Sequence, residues 1–146
     1  MRAEAAIPEE TGPGTVGSAP PSAHSLFARF GGFARVRLLV SAFYEKVLES
    51  DRLSRHFAGV DTRRLIDHQT RFISAIMGGP ASYSDDHIER AHRGLGITPS
   101  DFDEMLLLLR ETLEDHAISP IDIARIESHV LGLRARVVES AHDSSS

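Results

Sequence analysis

Eight histidines and no cysteine in 146 residues leave imidazole as the main nitrogen ligand for a metal. They exclude disulfides, thiolate nucleophiles and thiolate ligands. Two of the histidines fall in one short run, His87-Ile88-Glu89-Arg90-Ala91-His92-Arg93-Gly94-Leu95-Gly96-Ile97. Five positions apart, they sit about 140° from each other around a helix. They cannot grip one metal from a single face, and the run is not a zinc-binding His-Glu-x-x-His pair. Glu89 and His92 have the Glu-x-x-His spacing of di-iron bundles. Such sites need a second copy of the motif on another helix and two further inward glutamates; the one other such spacing, Glu139 to His142, falls at the end of the chain. His92 alone, just before the expected helix stop at Gly94, has two readings. It is a capping or surface cation favoured by the helix dipole, or it is a single ligand.

Two further residues could do chemistry because they are polar where the pattern is apolar. Tyr44 interrupts the stripe Val36, Val40, Phe43, Val47, Leu48, and Gln69 interrupts the stripe Leu65, Phe72, Ile73, Ile76. Burying such a group without a partner costs about 1–3 kcal/mol. Either the two bond each other (or Tyr44 sends its hydroxyl to the rim), or they converge on a small polar ligand in an apolar cavity.

The elements that must position these residues are helices. Both stripes have helical spacing. Asp61 is the expected N-cap of the second helix, which stops at Gly78-Gly79-Pro80. Thr98-Pro99-Ser100-Asp101 and Ser119-Pro120-Ile121-Asp122 each combine a cap, a proline at the first helical position and an acid three residues after the cap. The first opens a helix through Phe102, Met105, Leu106, Leu109 and Leu113. The second opens one through Ile123, Ile126, Val130, Leu133 and Val137. With a short helix ending near His92 and no alternation of strand type, the fold class is all-α.

Composition narrows the partners. Hydrophobic residues make up 41% and charged residues 25%, as in ordinary globular domains, and the net charge of −5 argues against nucleic acid. No apolar run approaches a bilayer span, and the N-terminus lacks a secretory pattern. The expected setting is the cytoplasm, with no membrane partner. Residues 1–24, rich in proline and glycine, read as a disordered extension, 25–138 as one domain and 139–146 as a flexible tail.

Taken together, these residues resemble the group I truncated haemoglobins, two-over-two helical sandwiches around haem, over about Leu26 to Leu133. The landmarks are Leu26-Phe27-Ala28-Arg29-Phe30-Gly31-Gly32, Phe43-Tyr44 with Val47-Leu48, Phe57-Ala58-Gly59-Val60-Asp61, His68-Gln69-Thr70-Arg71-Phe72 with Met77-Gly78-Gly79-Pro80, and Ala91-His92-Arg93-Gly94-Leu95-Gly96-Ile97. The resemblance implies that His92 is the proximal iron ligand and that Gly94 and Gly96 turn the chain away beside it. It makes Tyr44 and Gln69 the pair that stabilises a bound gas, with no other catalytic residue assigned. Phe57 would stack on the porphyrin and Leu65 would stand at the gate. Phe72 and Ile73 would line the distal wall, and Ile88 would touch the proximal face. His87 would face solvent. His68 would serve a propionate, act as a sixth iron ligand, or stay solvated. Tyr83 would contact a propionate, although Ser84-Asp85-Asp86 departs from the small residue and glycine usual after it. No histidine falls where some relatives attach the group covalently, so noncovalent haem b is implied.

The implied function is binding of dioxygen, nitric oxide and carbon monoxide at five-coordinate iron. It extends to nitric oxide dioxygenation with an external reductase, because the chain has no flavin or nicotinamide fingerprint. The alternative is a six-coordinate bis-histidyl haem protein for electron transfer or for redox or gas sensing. A globin fold without haem is disfavoured by the intact set His92, Tyr44, Gln69 and Phe57.

Overall fold

A computed structural model describes residues 24–138, which are helical with no strand among them. The extension and tail expected at the two ends lie outside these residues, apart from His24. The elements are α1 (Leu26–Phe30), α2 (Gly32–Glu49), α3 (Asp51–Ser54), a 3-10 turn (Arg55–Phe57), α4 (Thr62–Ile76), α5 (Asp85–His92), α6 (Pro99–Asp115), α7 (Pro120–Leu131) and α8 (Arg134–Val137).

Most of the helix starts follow from local hydrogen bonding. The Asp61 side chain accepts from the Arg64 N–H, Ser84 from His87, and Ser119 from Asp122. Thr98 and Asp101 form a reciprocal capping box. Each side chain satisfies an N–H that the helix leaves unpaired in its first turn. Between α1 and α2 the chain passes through Gly31 and Gly32 at φ of 125° and 76°, angles that a side chain disfavours.

Two helix pairs make the core. Helix α2 packs on α4, α6 packs on α7, and α2 also crosses onto α6. The shared interior holds Val36, Leu39, Val40, Leu113 and Ile126, all essentially without solvent contact. Replacing Leu113 with alanine is expected to cost about 2–5 kcal/mol by leaving a cavity, measured as a lowered midpoint in chemical denaturation. A loss under about 1 kcal/mol would show that the neighbouring helices collapse into the space.

Two expectations need correcting. Leu48 is 40% exposed, because the buried stripe of α2 ends at Val47 and the side opposite carries its apolar weight through Leu39 instead. The helix expected to run from Pro120 through Val137 is broken. It ends at Leu131, the Gly132 N–H caps back to Ser128, and a separate turn begins at Arg134. The apolar spacing runs on through the break because Leu133 is still buried.

Candidate functional site

Between the two helix pairs lies one cavity of about 1290 Å³. That exceeds the roughly 300–1,000 Å³ of ordinary small-molecule sites. All ten residues singled out from the sequence line it: Tyr44, Phe57, Leu65, His68, Gln69, Phe72, Ile73, Tyr83, Ile88 and His92. They come from α2, the 3-10 turn, α4, the segment before α5, and α5 itself.

His92 is the last residue of α5, and its ring is half buried. Its Nδ1 lies 2.8 Å from the Ile88 carbonyl. A carbonyl only accepts, so Nδ1 carries the proton and donates. In the neutral ring that leaves a lone pair on Nε2, the form a metal ligand needs. Gly94 and Gly96 follow at φ of 82° and 71°, so the chain does turn there through angles favourable to glycine. Glu89 is engaged elsewhere, with Arg136 at 3.2 Å and Arg93 at 3.5 Å, which removes it from any Glu-x-x-His site.

Tyr44 is 7% exposed, with its ring edge-on to Phe43 and to Phe57, centroids 4.9 and 5.8 Å away. Burial alone drives its phenol pKa well above the ordinary value, so the hydroxyl remains a donor. Among the described residues no hydrogen bond joins it to Gln69 or to any other group. The reading in which these two residues satisfy each other is therefore not what the structure contains. Gln69 is half buried one face along α4. Ile73 and Ile88 are buried, and Phe72 meets Tyr83 edge-on at 4.9 Å. His68 is exposed at the mouth. His87 is exposed as expected, yet it also borders the cavity.

Sequence reasoning missed two sets of lining residues. The first is Arg64, Arg71 and Arg90, exposed at the mouth and in no ion pair among the described residues. Elsewhere arginines such as Arg110 and Arg136 are paired with carboxylates. Arg64, His68 and Arg71 recur at i, i+4 and i+7, and that basic stripe beside the apolar one was the available signal. The second set is His56 and Asp101, both buried, with Nε2 2.9 Å from Oδ2. Asp101 was legible only as the acid of a capping box. Burial pushes its carboxyl up, but the Thr98 N–H, the His56 ring and the Thr98 side chain outweigh this and hold it below the usual carboxylate range.

The fit to a haem can be judged on these groups. An apolar slot carries one imidazole with a free lone pair, the hydroxyl of a buried tyrosine without a protein acceptor, and exposed guanidinium groups at its mouth. These match the needs of an iron, a small polar ligand on it and the two carboxylates of a haem edge. The residues present fit the group.

Known proteins agree with this architecture. The model of the bacterial-like globin family matches residues 25–139. A group 1 truncated haemoglobin of Tetrahymena thermophila is 29% identical over 115 residues, covering 79% of this chain and 88% of that protein. One from a Synechocystis species is 32% identical over 106 residues, covering 70% and 86%. Among solved structures, the cyanomet 2/2 haemoglobin of a Synechococcus species, with covalently attached haem, superposes with a TM-score of 0.72 at 30% identity and covers 78% of this chain and 98% of that one. The Fe(III) truncated haemoglobin of Tetrahymena pyriformis gives 0.71 at 24% identity, covering 79% and 98%, and speaks for the fold.

Proposed function

The chain belongs to the bacterial-like globin family, with group 1 truncated haemoglobins as its relatives, and from that premise we propose a particular use of the haem-based binding of diatomic gases that membership implies. Residues 25–138 form the haem domain. His92 holds the iron, and the haem is noncovalent haem b. Dioxygen, nitric oxide and carbon monoxide are the ligands. Nitric oxide and dioxygen, with one electron from a separate reductase, are converted to nitrate.

Haem supplies a ferrous iron with one coordination position open to a gas. The chain's own residues do the rest. The Ile88 carbonyl fixes the tautomer and ring orientation of His92, as orienting partners do in other metal sites. Tyr44 offers its O–H, and Gln69 an amide, to a gas in the cavity. Phe57, Phe72 and Ile73 exclude water from it. Arg64, Arg71, Arg90 and Tyr83, which line the cavity, would receive the haem carboxylates. His129, on α7, borders a small pocket that shares Tyr83 and Leu133 with the large cavity but does not itself line that cavity.

The observation that carries this reading is the hydroxyl of a buried tyrosine with no protein acceptor, in the same cavity as an imidazole whose Nε2 is free. The test of the chemistry is nitrate formed per nitric oxide consumed by the oxygenated protein. A one-to-one yield supports dioxygenation, and consumption without nitrate overturns it. No helix of the described residues is long and apolar enough to cross a membrane.

A second reading keeps its place because His68 borders the same cavity as His92. His68 would then take the sixth coordination position, and the protein would transfer electrons or sense redox state or gas. The ferrous spectrum without added gas decides between them. One broad visible band, unchanged in His68→Ala, is expected for the gas-binding protein. Two sharp bands that collapse to one broad band in His68→Ala would put the bis-histidyl reading first.

A further inference from the structure

We propose that His56 and Asp101 are positioning residues for the gas-stabilising wall: their buried contact fixes the Phe57 ring and, through it, the Tyr44 hydroxyl. This rests on the reading of the cavity given above and deepens it. The 3-10 turn Arg55–Phe57 has no side-chain cap and no fully buried residue, so little in its own sequence holds it in place. Asp101 supplies the anchor. It is 1% exposed at the start of α6. Its carboxylate accepts from the Thr98 N–H at 3.0 Å, from Arg55 Nη2 at 3.2 and 3.3 Å, and from His56 Nε2 at 2.9 Å. Arg52 stands 3.9 Å away. An ionised carboxylate has no proton to give, so His56 Nε2 is the donor.

One carboxylate thus ties the start of α6 to the turn that carries Phe57. The capping box needs only the Thr98 contacts, so the bonds to Arg55 and His56 are additional and serve the turn. Phe57 follows His56 directly, and its ring meets Tyr44 edge-on at 5.8 Å. The Tyr44 hydroxyl has no hydrogen bond of its own to steer it, so ring packing decides where it points. A displaced turn therefore moves the donor.

The test compares His56→Leu, His56→Gln and the control Ser119→Ala in the haem-loaded protein. Glutamine places an N–H at about the reach of histidine Nε2. Ser119 caps α7 and does not line the cavity, so its loss costs stability only. The readouts are the C–O stretching frequency of the carbon monoxide form, dioxygen dissociation, and the nuclear Overhauser contact between the Phe57 and Tyr44 rings. His56→Leu is expected to shift the C–O frequency, weaken the ring contact and speed dioxygen release roughly tenfold, the low end of what losing an orienting partner costs a metal site. His56→Gln is expected to restore all three, and Ser119→Ala to move none. If His56→Leu does not fold, His56→Phe, which keeps a ring but has no N–H to give Asp101, is expected to give the same shifts. An unchanged C–O frequency and ring contact in whichever folded variant lacks the bond would overturn the proposal and leave the pair a purely structural staple. Should the wild type take up no haem, the reading of the cavity fails. The ring contact in the protein as purified would still decide this inference.

Discussion

Replacing His92 with alanine is expected to abolish the ferrous spectrum of histidine-ligated haem and to weaken haem retention. The loss should exceed the ~10–100-fold that follows from removing only an orienting partner of a metal ligand. His92 is the cavity histidine whose tautomer the backbone dictates: its Nδ1–H is committed to Ile88, and its Nε2 is left to coordinate. His56 spends its Nε2 on Asp101. His68 and His87 are exposed at the mouth and on α5. Titrating haem into both proteins and recording reduced spectra checks the claim. Added imidazole sharpens it, because a ligand that fills the space left by the side chain should restore the five-coordinate spectrum. Normal haem uptake and an unaltered spectrum in His92→Ala would move the iron to another residue.

Tyr44→Phe is expected to separate stability from gas retention. A hydrogen bond to a group carrying charge is worth about 1.5–3 kcal/mol, so losing it should speed dioxygen dissociation about 10- to 100-fold. Folding, by contrast, gains nothing from the hydroxyl. It belongs to a buried ring that lines the cavity, its pKa is raised by desolvation alone, and no protein group accepts from it among the described residues. Removing a donor that bonds no protein group takes no hydrogen bond from the fold, so the denaturation midpoint of the ferric haem-loaded protein should hold or rise. Stopped-flow release of dioxygen and chemical denaturation of the same two proteins are the measurements. A loss of stability above about 1 kcal/mol with unchanged release would mean that the hydroxyl serves the fold and that Gln69 acts alone on the gas.

Much of this site was legible before any tertiary information. Helix starts were readable because capping is local: Asp61, Thr98 and Ser119 each bond an N–H three residues on. Tyr44 and Gln69 were readable because a polar residue on an apolar stripe must find a partner or carry a burial cost. The break at Gly132 was not readable, since apolar spacing continues through it to the buried Leu133.

The sequence by itself therefore determined the all-α class, the cap residues, and a set of polar groups that the core could not absorb. Periodicity and hydrogen bonds over three or four residues specify these without reference to the rest of the chain. Tertiary structure alone decided that those groups share one cavity and that Tyr44 and Gln69 do not bond each other. It also joined His56 to Asp101 across 45 residues and Arg136 to Glu89 across 47. Such pairings depend on how whole helices pack, and no local pattern encodes which distant carboxylate a cation will meet. The same holds in part for the arginines at the mouth. The stripe Arg64, His68 and Arg71 was visible in the sequence, but only the packed helices show that it and Arg90 border one cavity.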